Sequence, residues 1–214
     1  MSLSADIDAS TLTVLLDVRH PFACLALGPT RALGESLGID VNWLPIEAQP
    51  LNPPSTPAPG DDRGVRHKRY RAQAIAREID VYAAAQGLVL RDPYRAGDVA
   101  AANRGWLWVR DRAPAALPDW LERLFAGYWS VELDASDPRA VAATIDAVGA
   151  DGAGFLDWCD GDGAAAAERL AAELRERGVF GVPAYLLEDE VFQGRQHLPM
   201  IRWILEGRSG PVPI

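Results

Sequence analysis

The chain is predicted to be an α/β protein in which strands near both ends of the sequence enclose a long run of helices. Three observations predict this. Two short apolar runs, residues 11–18 and 39–46, frame a helical stretch of the length a right-handed parallel crossover needs. The chain returns to strand character at 184–187 and 190–192. Between these ends the apolar residues recur at helical spacing.

Each element has a local reason. Residues 11–18 carry Leu12, Val14, Leu15, Leu16 and Val18, a run of buried-strand type. Pro21 is tolerated in a first helical turn, where its missing N–H costs nothing, so it opens the helix that 22–37 continue. Gly38 is a natural C-cap. Residues 39–46 are the second strand. Residues 47–64 hold five prolines, at 50, 53, 54, 57 and 59, which exclude helix and inner strand. That stretch reads as a loop, either a solvated connection or a rim over a pocket.

Helices are predicted over 65–86, ending at Gly87, over 96–110, and over 118–129, where Leu121, Leu124, Phe125 and Tyr128 share one face. Ser136-Asp137-Pro138 supplies a cap and a first-turn proline for a helix over 139–148. Residues 164–177 are strongly helix-forming and stop at Gly178. Near the end, Glu188-Asp189 turns a hairpin, and 197–206 form an amphipathic helix.

Composition narrows the function. The chain has 214 residues, 49% hydrophobic and 24% charged, an ordinary globular balance. Its net charge of -9 argues against nucleic acid or an anionic membrane as partner, because both select a basic surface. The one basic cluster, 63–71, reads as a solvated helix face. Residues 1–10 lack a basic segment followed by an apolar run, so no secretory signal is expected. No stretch of about 18 apolar residues exists to span a membrane. Cys24 and Cys159 lie far apart without a CxxC pattern, which suits a reducing cytoplasm. His20, His67 and His197 have no metal-ligand spacing, so no metal is expected.

The order βαβ, helices, ββα is that of a thioredoxin-like fold with an all-helical domain inserted in its middle. Residues 1–62 and 179–214 are expected to form the thioredoxin-like domain, and 63–178 the helical insertion.

Against that background the chain resembles a known family. Gly178-Val179-Phe180-Gly181-Val182-Pro183-Ala184-Tyr185, followed by Phe192-Gln193-Gly194-Arg195, is similar to the C-terminal signature of 2-hydroxychromene-2-carboxylate isomerases and kappa-class glutathione transferases. These are relatives of the DsbA-type thiol oxidoreductases. Residues 17–25 align with the family's first strand-to-helix turn. Asn52-Pro53-Pro54 resembles its Asn-Pro-Pro loop, and Phe125-Ala126-Gly127-Tyr128-Trp129 with 134–138 resembles a segment of its helical domain. The similarity covers nearly the whole chain.

The resemblance implies a glutathione-dependent isomerase or transferase acting on an aromatic or apolar electrophile. The alternative is a member without CxxC redox activity that binds a small molecule or peptide in the same cleft. Relatives are often dimers, so a homodimer is an expectation. In this fold a thiolate is stabilised where the first strand meets the first helix, by unpaired N–H groups and the helix dipole. The family places a serine there; this chain has His20, with Ala23 at the position of a second CxxC cysteine. Dithiol chemistry at the turn is excluded. His20 is either a hydrogen-bond donor or base beside a bound thiolate, or a polar residue at a turn whose chemistry has been lost. Cys24 reads as a buried structural thiol.

The remaining site residues follow from the resemblance. Val182-Pro183 is implied to be cis, freeing the Val182 backbone to pair with a peptide-like ligand such as glutathione. The family carries an acid before the last helix, facing the ligand's α-amino group; here Gln196-His197 stand instead. A basic residue that meets the glycine carboxylate corresponds to His67 or Lys68, and Asn52 keeps its family identity. Phe22, Tyr94, Trp106, Trp108 and Trp129 either line an apolar co-substrate pocket or belong to the core.

Overall fold

A four-stranded mixed sheet lies at the centre, in the order β2-β1-β3-β4. The strands are β1 Thr13–Leu16, β2 Asn42–Pro45, β3 Ala184–Leu187 and β4 Glu190–Gln193. They come from a computed structural model that describes residues 7, 8 and 10–213; the reading of residues 1–10 falls mostly outside them. β1 runs parallel to β2, with Val14 opposite Trp43. β3 is antiparallel to both β1 and β4, with Val14 opposite Tyr185 and Tyr185 opposite Phe192. Only four residues of each eight-residue run pair as strand, and Leu12 and Val18 of the first run are buried in the connections.

The two-residue alternation of strands sorts the core onto two faces. Val14, Leu16, Trp43, Tyr185 and Leu187 meet α1 (Pro21–Leu37) and Ile201 of the last helix, α8 (Leu198–Leu205). Leu15, Leu44, Ala184 and Leu186 meet Leu170 and Leu174 of α7 (Ala164–Glu176). On the first face Tyr185 is fully buried, and its hydroxyl pairs with Thr30 of α1 at 3.0 Å.

Pro21 is the first residue of α1, and Gly38 caps it in the left-handed region at φ 63, as the sequence indicates. Between β2 and α7 come α2 (Arg63–Gln86), α3 (Ala100–Arg112), α4 (Leu117–Ser130), α5 (Pro138–Asp146) and α6 (Gly152–Trp158), the last followed by a π-helical turn, Cys159–Gly163. Asp62 and Asp137 cap α2 and α5 by accepting the N–H groups of Val65 and Arg139. The sequence reading has no counterpart for α6, a short helix rich in glycine. Asp151 caps it, and a Cβ on Gly152 would come within 2.6 Å of the Ala142 carbonyl, so glycine lets α6 press against α5. Glycine serves α3 and α5 in the same way: a Cβ on Gly105 would lie 2.6 Å from Val141.

α7 falls within the span 63–178, yet it covers the sheet face opposite α1. α3 is tied to the sheet edge by the Trp106 indole N–H, which donates to the Trp43 carbonyl at 3.1 Å. Among the described residues no helix is long and apolar enough to cross a membrane.

Candidate functional site

The site begins at the turn from β1 into α1. Asp17, only 2% exposed, accepts the Arg19 main-chain N–H at 2.9 Å, the Arg19 guanidinium at 2.8 Å and the Ala48 N–H at 2.8 Å. One carboxylate therefore fixes the turn and joins it to the segment leaving β2. Arg19 also donates to the Gly97 carbonyl and lies 3.4 Å from Glu47. His20 donates its N–H to the Asp17 carbonyl, and its own carbonyl accepts from Ala23 and Cys24. Pro21 has no N–H, and among the described residues the Phe22 N–H is left without an acceptor at the positive end of α1.

His20 sits in extended conformation as the N-cap residue, and its side chain makes no capping bond. The ring is largely buried, 5.8 Å from that of Phe22, and its Nδ1 is enclosed without a partner among the described residues. Burial holds the imidazole pKa below its ordinary value; Asp17 opposes this and Arg19 adds to it. The ring is thus neutral near pH 7 and offers one donor and one acceptor. Cys24 points into the core, 7% exposed, and burial pushes its thiol up to about 12. It supplies no thiolate near neutrality.

The Val182-Pro183 peptide is cis. The Val182 N–H and C=O make no hydrogen bond to another described residue, while the Pro183 carbonyl is taken by Gly194 at 2.8 Å. Gly194, at φ 100, begins the turn to α8, and a single 3-10 turn, Arg195–His197, packs beside α1. Arg195 clamps this turn to α2, stacking on the Tyr82 ring at 3.4 Å and reaching Glu78 at 3.5 Å. The fold therefore brings Gln196 and His197 to α1. Gln196 is exposed, with Nε2 bonded to the Gln193 carbonyl at 2.9 Å, and its amide lies back over Gly194. The His197 ring rests 5.8 Å from that of Phe192.

The other candidates lie apart. His67 and Lys68 are exposed on α2, eleven and ten residues before Glu78, or about 15–16 Å along the helix from its contact with the Arg195 turn. Their neighbour Arg69 is the buried base, paired with Asp61. Asn52 is exposed on the proline-rich loop. Trp106, Trp108 and Trp129 are core residues, 0%, 8% and 2% exposed, whereas Phe22 and Tyr94 are partly open. A cavity of about 520 Å³ opens between α3 and α7, walled by Ile46, Leu107, Leu170, Leu174 and Phe180, and includes neither His20 nor Pro183. The Asp17–Arg19 pair escapes sequence reasoning, although its acid-x-base spacing at the end of a strand is visible in hindsight.

Residues 11–206 match the DSBA-like thioredoxin domain family, and the chain belongs to it. By sequence it matches no protein of curated function. Among solved structures it is similar to a 2-hydroxychromene-2-carboxylate isomerase, with a TM-score of 0.71 and 19% identity over 92% of this chain and 95% of that one. A probable DsbA oxidoreductase from Streptomyces coelicolor gives 0.66 and 18%, covering 95% and 93%. The cytosolic disulfide reductase DsbM from Pseudomonas aeruginosa, solved with GSH, gives 0.58 and 18%, covering 92% and 98%. At these identities the likeness is one of fold.

Proposed function

We propose that the chain is a cytoplasmic glutathione-dependent isomerase or transferase, of the 2-hydroxychromene-2-carboxylate isomerase type, acting on an aromatic or otherwise apolar electrophile. One observation carries this reading: the turn sets an open main-chain N–H at the N-terminus of α1 beside an enclosed imidazole and has no thiolate of its own. Glutathione, when bound, supplies that nucleophile. The Phe22 N–H and the dipole of α1 favour the anion, and the neutral His20 ring donates to it. The open main-chain groups of Val182 suit the cysteinyl part of the tripeptide. The likeness to an isomerase and to a reductase solved with GSH supports the reading.

Gln196 favours a second reading, a protein that binds a small molecule or peptide in this cleft without chemistry. Its amide is turned back onto Gln193 and offers no charge to an α-amino group. A thermal shift with millimolar glutathione decides between them. The first reading expects stabilisation that His20→Ala abolishes, with retention on glutathione-agarose. Absence of both leaves the second.

A further inference from the structure

Four buried side-chain atoms lack a partner among the described residues: His20 Nδ1, Arg95 Nε, Tyr128 Oη and Trp129 Nε1. The three residues other than His20 pack about one ring, that of Tyr128. The Arg95 guanidinium carbon stands 3.9 Å from the centre of the Tyr128 ring, and the Trp129 ring packs edge-on at 5.4 Å. Tyr128 is 4% exposed and Trp129 2%. Arg95 is held in place by a second donor, Nη2, on the Tyr128 carbonyl.

All three atoms donate, and neither the guanidinium nor the indole nitrogen accepts. Four other indoles, those of Trp106, Trp108, Trp120 and Trp203, each donate to an oxygen. Leaving a buried donor unmatched is costly. Three such donors around one ring mark a place where an acceptor belongs. Its sign is also set. Asp134 acts on Arg95 only at a distance, with one oxygen committed to Ser136. The Tyr128 ring lies near the turn that carries His20, since α4 packs on α1 and Tyr128 is within electrostatic reach of Arg19.

We propose that Arg95, Tyr128 and Trp129 form a recess for an sp2 oxygen, carbonyl or carboxylate, of the small-molecule substrate. This rests on the reading of the cleft as a small-molecule site. Such a recess disfavours a ligand that lacks the oxygen, because the Arg95 and Trp129 donors, which cannot accept, would stay unpaired.

The Trp129 indole N–H reports directly. Its signal in a 15N–1H correlation spectrum, assigned by its loss in Trp129→Phe, is followed during separate titrations with sodium benzoate and with 4-phenylbut-3-en-2-one. A saturable downfield shift with either probe is expected, and the two arms tell carboxylate from carbonyl. Tyr128→Phe, shown folded by the dispersion of the remaining signals, weakens that binding about fivefold to tenfold. A Trp129 signal that stays put with both probes, or that keeps a cross-peak to a resident water at the highest probe concentration, overturns the proposal. Glutathione titrated alone moves the His20 and Val182 signals if the thiolate reading holds, so its failure is seen separately.

Discussion

Asp17 and Arg19 form a closed unit in which one buried carboxylate takes both the main-chain and the guanidinium donors of the residue two places on. The same carboxylate holds the Ala48 N–H, so the turn that carries His20 and the segment leaving β2 share one anchor.

Removing that anchor strands a largely buried guanidinium and two main-chain donors. Asp17→Ala is therefore expected to destabilise the fold by about 3 kcal/mol, and Asp17→Asn by less, since the amide oxygen still accepts. Urea unfolding of both variants measures this. Equal stability of Asp17→Ala and the parent would show that the turn is held by something else.

The His20 ring predicts a pH dependence with a definite sign. Burial is the leading cause of its lowered pKa, with Arg19 adding to it and Asp17 opposing. The unfolded chain, with an ordinary histidine pKa of about 6.5, binds the proton more readily than the native state. The ring's contribution is then fully present above pH 6.5 or so and is lost as the pH falls through the lower, native value. Urea melts between pH 5 and 8 are expected to show the parent losing stability on the acid side more steeply than His20→Gln. Parallel curves would mean that the ring is solvated in both states.

Much of the architecture is legible in local chemistry. Pro21 and Gly38 bracket α1, Asp137 caps α5, and Glu188, at φ 55, turns the terminal hairpin. α6 is not legible, because a seven-residue helix with two glycines owes its existence to packing on α5 rather than to its own propensity. The site divides in the same way. A motif places His20 and Val182-Pro183, but Asp17 meets Ala48 only through the folded chain. Arg95 and Tyr128 lie 33 residues apart, and nothing in either segment announces that the guanidinium stacks on the ring. His67 and Lys68 are candidates by alignment alone, and the geometry leaves them on the solvent side of α2.

The turn before α8 offers the sharpest test of how a tripeptide would be read. Gln196 spends its amide N–H on the Gln193 carbonyl, which draws the side chain over Gly194, where any Cβ would collide with it. Aspartate at 196 is one methylene shorter and has no donor for Gln193, so its carboxylate is released toward the cleft. A carboxylate that meets an ammonium group makes a hydrogen bond roughly twice as strong as a neutral amide does. Gln196→Asp is accordingly expected to tighten glutathione binding about tenfold by calorimetry. The gain should be absent for a tripeptide analogue that lacks the α-amino group. An equal gain for that analogue would place the ammonium elsewhere and detach the Arg195–His197 turn from ligand recognition.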